Sequence, residues 1–100
     1  MNEEELKKYP YVIIRTINAG VHAGYLKEYK GMEVTLLESR RLWKWKGAMT
    51  LSEIAMEGLE YPNECKFSIE VNEIILTQAI EIIKCNQIGQ LSIMGVKKWK

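Results

Sequence analysis

The residues best equipped for chemistry stand in one run, Arg40-Arg41-Leu42-Trp43-Lys44-Trp45-Lys46. In an extended strand alternate side chains share a face. That spacing predicts Arg41, Trp43 and Trp45 on one side, with Arg40, Leu42, Lys44 and Lys46 on the other. A guanidinium forks onto a phosphate, and an indole stacks on a base for about 1–3 kcal/mol. The run therefore suits a ligand that carries both groups. The same side chains also serve as core or interface anchors with solvated cations, and composition alone leaves the two readings open.

Three further residues join the candidate ligand-binding set. Arg15 interrupts the apolar run Val12-Ile13-Ile14-Arg15-Thr16-Ile17, where a cation must reach solvent, a carboxylate or an anionic ligand. His22 is the one histidine and sits between Gly20 and Gly24. Tyr25, close by, offers a ring to stack and a hydroxyl to donate. Arg15 and Tyr25 also have plain structural readings, as an exposed sheet residue and a half-buried sheet tyrosine. A lone histidine with no paired acid or nucleophile is weak evidence for a catalytic base.

Catalysis finds little footing. The chain has no aspartate, and no Gly-rich phosphate loop, GxSxG elbow or HExxH is present. Cys65 and Cys85 lack CxxC spacing and a histidine cluster, so neither a zinc site nor any other cofactor is expected. The expectation is a binding protein rather than an enzyme, with both thiols reduced in a cytoplasmic setting.

The elements that must position these residues are largely β. Residues 1–9 are charged and read as an N-terminal arm or one short helical turn; residues 10–100 form a single globular domain. The β-branched run from Tyr11 to Ile17 predicts a strand, and Asn18-Ala19-Gly20 a turn or bulge. Val21 to Tyr29 and Met32 to Ser39 predict two more strands about a Lys30-Gly31 turn, and the extended pattern runs on to Lys46. Thr50-Leu51-Ser52-Glu53 is a capping box, opening a helix of about two turns that ends at Gly58. A loop around Pro62 precedes two or three strands between Phe67 and Lys84. Gln87 to Met94 reads as a closing helix that Gly89 weakens. The fold class is thus α+β: a small antiparallel β-rich domain, a meander of five to six strands with one or two short helices.

Fourteen basic and 13 acidic residues give a formal charge of +1, which favours neither duplex DNA nor an anionic membrane surface. The distribution is uneven. Lys27 to Lys46 holds six basic and three acidic residues, whereas Glu53 to Glu81 holds seven acidic residues and one lysine. Kept apart, these segments give a basic and an acidic side, suited either to phosphates or to an oligomer. No apolar run approaches the length of a membrane span, and the polar N-terminus is no signal peptide.

Several blocks together resemble a known family. They are Arg15-Thr16, Ala19-Gly20-Val21, Gly24-Tyr25-Leu26, Gly31 with Glu33-Val34, and Ser39-Arg-Arg-Leu-Trp-x-Trp-x-Gly-Ala48. Leu51-Ser-x-x-Ala55-x-x-Gly58, Cys65-Lys-Phe67, Val71-x-Glu-Ile74 and Ala79-Ile-Glu-Ile-Ile83 continue the likeness. They are similar to a widespread family of small tailed-bacteriophage proteins carried as a domain of unknown function. That family is in turn similar to the phage anti-CBASS sponges. The resemblance implies an oligomer that sequesters a cyclic di- or oligonucleotide defence signal such as 3′3′-cGAMP without hydrolysing it. Three tryptophans with opposite charge in the two halves of so short a chain predict a homo-oligomer, dimer or tetramer. The resemblance assigns no ligand contacts, so Arg15, His22, Tyr25, Arg40, Arg41, Trp43 and Trp45 rest on their chemistry. A protein-interaction or structural module and a single-stranded nucleic-acid binder are the alternatives.

Overall fold

The structure is a computed structural model that describes residues 2–99. Met1 and Lys100, the ends of the expected arm and of the basic tail, lie outside the described residues.

Among the described residues, six antiparallel strands and three short α-helices make an α+β domain. The arm forms the helical turn: α1 (Glu3–Leu6) is capped by the Asn2 side chain, and Leu6 is buried in the core. Strands β1 (Tyr11–Thr16), β2 (Val21–Lys30) and β3 (Glu33–Lys44) form the meander that the sequence predicts. Beyond β3 the path changes. β4 (Lys66–Phe67) pairs with the far end of β3, and β5 (Val71–Leu76) pairs with its first half. β6 (Ala79–Lys84) crosses to the other edge and pairs with β1.

The path β5-β3-β2-β1-β6 therefore ends on two strands that only Thr77 and Gln78 separate in the chain. Such a sheet has to curl until its edges meet at that corner. Two bonds fasten it there: the Ala79 amide donates to the Met32 carbonyl, and the Ile17 amide to that of Gln78, each at 3.0 Å. Val12, Ile14, Leu26, Val34, Leu36, Leu76 and Ala79 are buried on the concave face with no helix residue among them. The sheet encloses this core by itself.

The convex face carries the second core. Tyr11, Ile13, Ala23, Tyr25, Leu37, Leu42 and Phe67 pack against Leu6, against Ile54 and Ala55 of α2 (Leu51–Glu57), and against Ile93 of α3 (Gln87–Gly95). Thr50 caps α2 by accepting from the Glu53 amide at 3.1 Å, but the Glu53 carboxylate reaches one residue further back and takes the Met49 amide. Gly89 does not weaken α3 in this setting; it allows the helix to close on α2. A Cβ there would overlap the Ala55 carbonyl oxygen.

The charged segments are not kept apart, because β3 lies beside β4 and β5. Lys27 meets Glu73 at 3.6 Å and Lys46 meets Glu64 at 3.1 Å. Lys66, the one lysine of the acidic segment, stands opposite Lys44 through β4.

Candidate functional site

The register of β2 and β3 sets the site. His22 stands opposite Arg41, and Ile14 of β1 stands opposite His22. Ile14 faces the concave core, so His22 and Arg41 face it too. Between Tyr25↔Leu37 and Ala23↔Arg40 the ladder spends three steps on β3 against two on β2. The extra residue is Glu38, at φ 48°, the signature of a bulge. Gly24 lies across from it; a Cβ there would come within 2.9 Å of the Leu37 carbonyl oxygen. The bulge and the missing side chain turn Ser39 inward over Gly24, beside His22 and Arg41.

These residues line a cavity of about 220 Å³ with Ser68, Val71 and Ile74. Ser39 is 1% exposed, and its hydroxyl is the one buried side-chain polar atom without a hydrogen-bond partner among the described residues. His22 is equally buried, with Nε2 2.8 Å from the Ala19 carbonyl oxygen. A carbonyl only accepts, so Nε2 carries the proton and Nδ1 the lone pair. Burial drives the ring's pKa below its ordinary 6.5; the Ala19 bond opposes this and the Arg41 charge assists it. The ring is neutral at pH 7.

Arg41 is exposed and has no carboxylate within ion-pairing distance among the described residues. It also walls a second cavity of about 450 Å³ with Asn18, Ala19, Gly20 and Trp43. Trp43, 65% exposed, leads on to a third of about 330 Å³, which Lys44, Lys66 and Trp99 complete. Trp43 and Trp99 meet edge to face at 4.6 Å, and the Lys66 ammonium lies 4.9 Å from the Trp99 ring centre. The tail reaches this position because Trp99 donates to the Phe67 carbonyl at 2.9 Å and Lys98 bridges Phe67.

Of the seven candidates, His22, Arg41 and Trp43 are brought together. Arg40 points the other way and is 4% exposed. Its guanidinium donates to the carbonyls of Ser68 (3.1 Å), Ile93 (3.0 Å) and Val96 (2.6 Å) and lies over the Phe67 ring. That arginine fastens the end of α3 to the sheet. Trp45 packs half-buried on the helix-side core, since β3 ends at Lys44 and the alternation stops with it. Tyr25 is buried on that same side, edge-on to Tyr11 and accepting from Gln90. Arg15 lies on the convex face, 3.3 Å from Glu81, away from His22. Ser39, Lys66 and Trp99 line the same cavities and were not among the candidates. A tryptophan between two lysines was the available signal for Trp99; no local pattern marks Ser39.

Among the described residues no three His, Cys or Glu side chains gather as a metal site, and no helix is long and apolar enough to cross a membrane. Cys65 and Cys85 are unpaired with each other. The fold and surface define a small α+β domain that presents cations and indoles at the open side of a curled antiparallel sheet. The chain belongs to the family described as a domain of unknown function (DUF6948), matched over residues 9–93. No curated protein and no solved structure matches it.

Proposed function

We propose that the protein binds a nucleotide signal and holds it without chemical change. Arg41 takes a phosphate, while Trp43, backed by Trp99, takes a base. The ligand class is the cyclic dinucleotide that the resemblance to the anti-CBASS sponges implies, and the setting is the cytoplasm of an infected host. One observation carries this reading: an exposed guanidinium, free of carboxylate partners among the described residues, is the shared wall of two cavities beside an indole pair. An unpaired cation is ready for an anion, and a flat indole beside it accepts the attached base.

A sponge works by stoichiometry, which suits a short chain made in many copies. It is proposed to act as a homo-oligomer, dimer or tetramer. Ile75 and Ile80 on the sheet, with Ile88 and Leu91 on α3, are large apolar side chains more than 45% exposed, and such surface favours self-association.

A thermal-shift screen against cyclic dinucleotides, cyclic ADP-ribose isomers and short oligonucleotides tests the function. A ligand at 100 times its dissociation constant stabilises the fold by about 2.7 kcal/mol. A clear shift with a cyclic dinucleotide, recovered intact, is expected; no shift with any of them would reject the reading. A single-stranded nucleic acid is the second reading, favoured by the continuation of the surface along Lys44 and Lys66. It predicts affinity that grows with strand length and falls steeply with salt.

A further inference from the structure

Three polar groups around the 220 Å³ cavity remain uncommitted. Ser68 is not one of them, since its hydroxyl accepts from the Arg41 amide at 2.7 Å and donates to the Ile69 carbonyl at 2.9 Å. The uncommitted groups are the Arg41 guanidinium, the Ser39 hydroxyl and His22 Nδ1. A buried hydroxyl without a partner is costly, roughly 1–3 kcal/mol, and asks for an occupant. The cavity alongside measures about 220 Å³.

The chemistry of the three groups narrows what fits. Arg41 only donates, and so suits a phosphate oxygen. Ser39 both donates and accepts. Nδ1 of the neutral ring only accepts, so it needs a proton from the ligand. An ionised phosphate has none to give. A single alcohol carries both complements, a proton for His22 Nδ1 and lone pairs for the Ser39 hydroxyl. In a ribonucleotide such an alcohol, the 2′-hydroxyl, stands on the carbon next to the one that bears the 3′-phosphate.

We infer that the Ser39–His22 cavity is a ribose-reading subsite: it takes the 2′-hydroxyl next to the phosphate held by Arg41, so the protein selects ribonucleotides over deoxyribonucleotides. This rests on the nucleotide reading above. The bulge at Glu38 and the bare Gly24 are what shape the subsite, because they let Ser39 turn inward and pack directly over the Gly24 backbone.

Calorimetric titration of the whole protein with a 3′,5′-linked cyclic diribonucleotide and with its 2′-deoxy counterpart tests the inference. The unaltered protein is expected to prefer the ribo form by about tenfold, the effect of one well-placed hydrogen bond. Ser39→Ala is expected to bring the two ligands near parity by weakening the ribo form alone. Its melting temperature without ligand should not fall, because that hydroxyl has no protein partner to lose. Equal affinity of the unaltered protein for both ligands would overturn the inference and leave the nucleotide reading standing. So would an equal loss of both in Ser39→Ala. Binding of neither ligand would overturn both.

Discussion

Trp43 and Trp99 meet edge to face with ring centres 4.6 Å apart, although 55 residues of chain lie between them. The contact joins the end of β3 to the tail and makes one aromatic surface from two distant pieces. Edge-to-face pairs contribute about 0.5–1.5 kcal/mol beyond the area they bury. Trp99→Ala is therefore expected to lower the melting temperature by a few degrees and to weaken nucleotide binding by about tenfold, while Lys7→Ala with Lys8→Ala changes neither. Tryptophan fluorescence during titration reports the site directly, and a ligand that binds without altering it would place the surface elsewhere.

Arg40 and Arg41 are neighbours in sequence with opposite duties, and single substitutions separate them. Arg40→Ala takes a charged donor from each of three carbonyls, those of Ile93 and Val96 buried and that of Ser68 partly buried, at about 3 kcal/mol or more. The expected fall in melting temperature exceeds about 10 °C for a domain of this size. Arg41→Ala removes an exposed side chain and is expected to leave the melting temperature within about 2 °C while reducing ligand affinity at least tenfold. Thermal unfolding and titration of the two variants distinguish the roles; similar profiles for both would contradict the account.

Most of the framework was legible in local patterns. The β-branched run at Tyr11, the Lys30-Gly31 turn and the Thr50 capping box each produced the element they predict, because each depends on neighbours within a few residues. Alternation from Arg40 to Lys46 was half informative. It separates Arg41 from Arg40 correctly, but places Trp45 with Trp43, since no local signal marks the strand's end at Lys44. Ser39 and Trp99 were hidden for a different reason. Their roles come from pairing partners far along the chain, through the bulge opposite Gly24 and the bridge to Phe67. Gly89 misleads in isolation because its value lies in a contact with Ala55.

That contact supplies a further prediction. Gly89→Ala keeps good helix propensity yet drives a methyl group into the Ala55 carbonyl. Overpacking of this kind costs roughly 1–3 kcal/mol or more. Denaturant unfolding is expected to show a lower midpoint, opposite to the stabilisation that an exposed helical Gly→Ala change would give.

His22 makes stability depend on pH. Its folded-state pKa lies below the ordinary 6.5, chiefly through burial, so below about pH 6.5 the unfolded chain binds a proton that the fold resists. Stability is expected to be full above pH 6.5 and to fall as the pH drops towards the folded value. Glu70 works in the opposite sense at lower pH, because burial raises its pKa. Comparing denaturation midpoints at pH 7.5 and 5.5 with those of His22→Asn isolates the histidine. The variant should lose most of the difference, and an unchanged slope would assign it to another group.

The most direct measurement for the central claim is calorimetric titration of the unaltered protein and Arg41→Ala with a cyclic dinucleotide, followed by chromatography of the recovered ligand. The account predicts saturable binding with the ligand returned intact, and at least tenfold weaker binding in Arg41→Ala with an unchanged melting temperature. No binding by the unaltered protein, or equal binding by the variant, would contradict it.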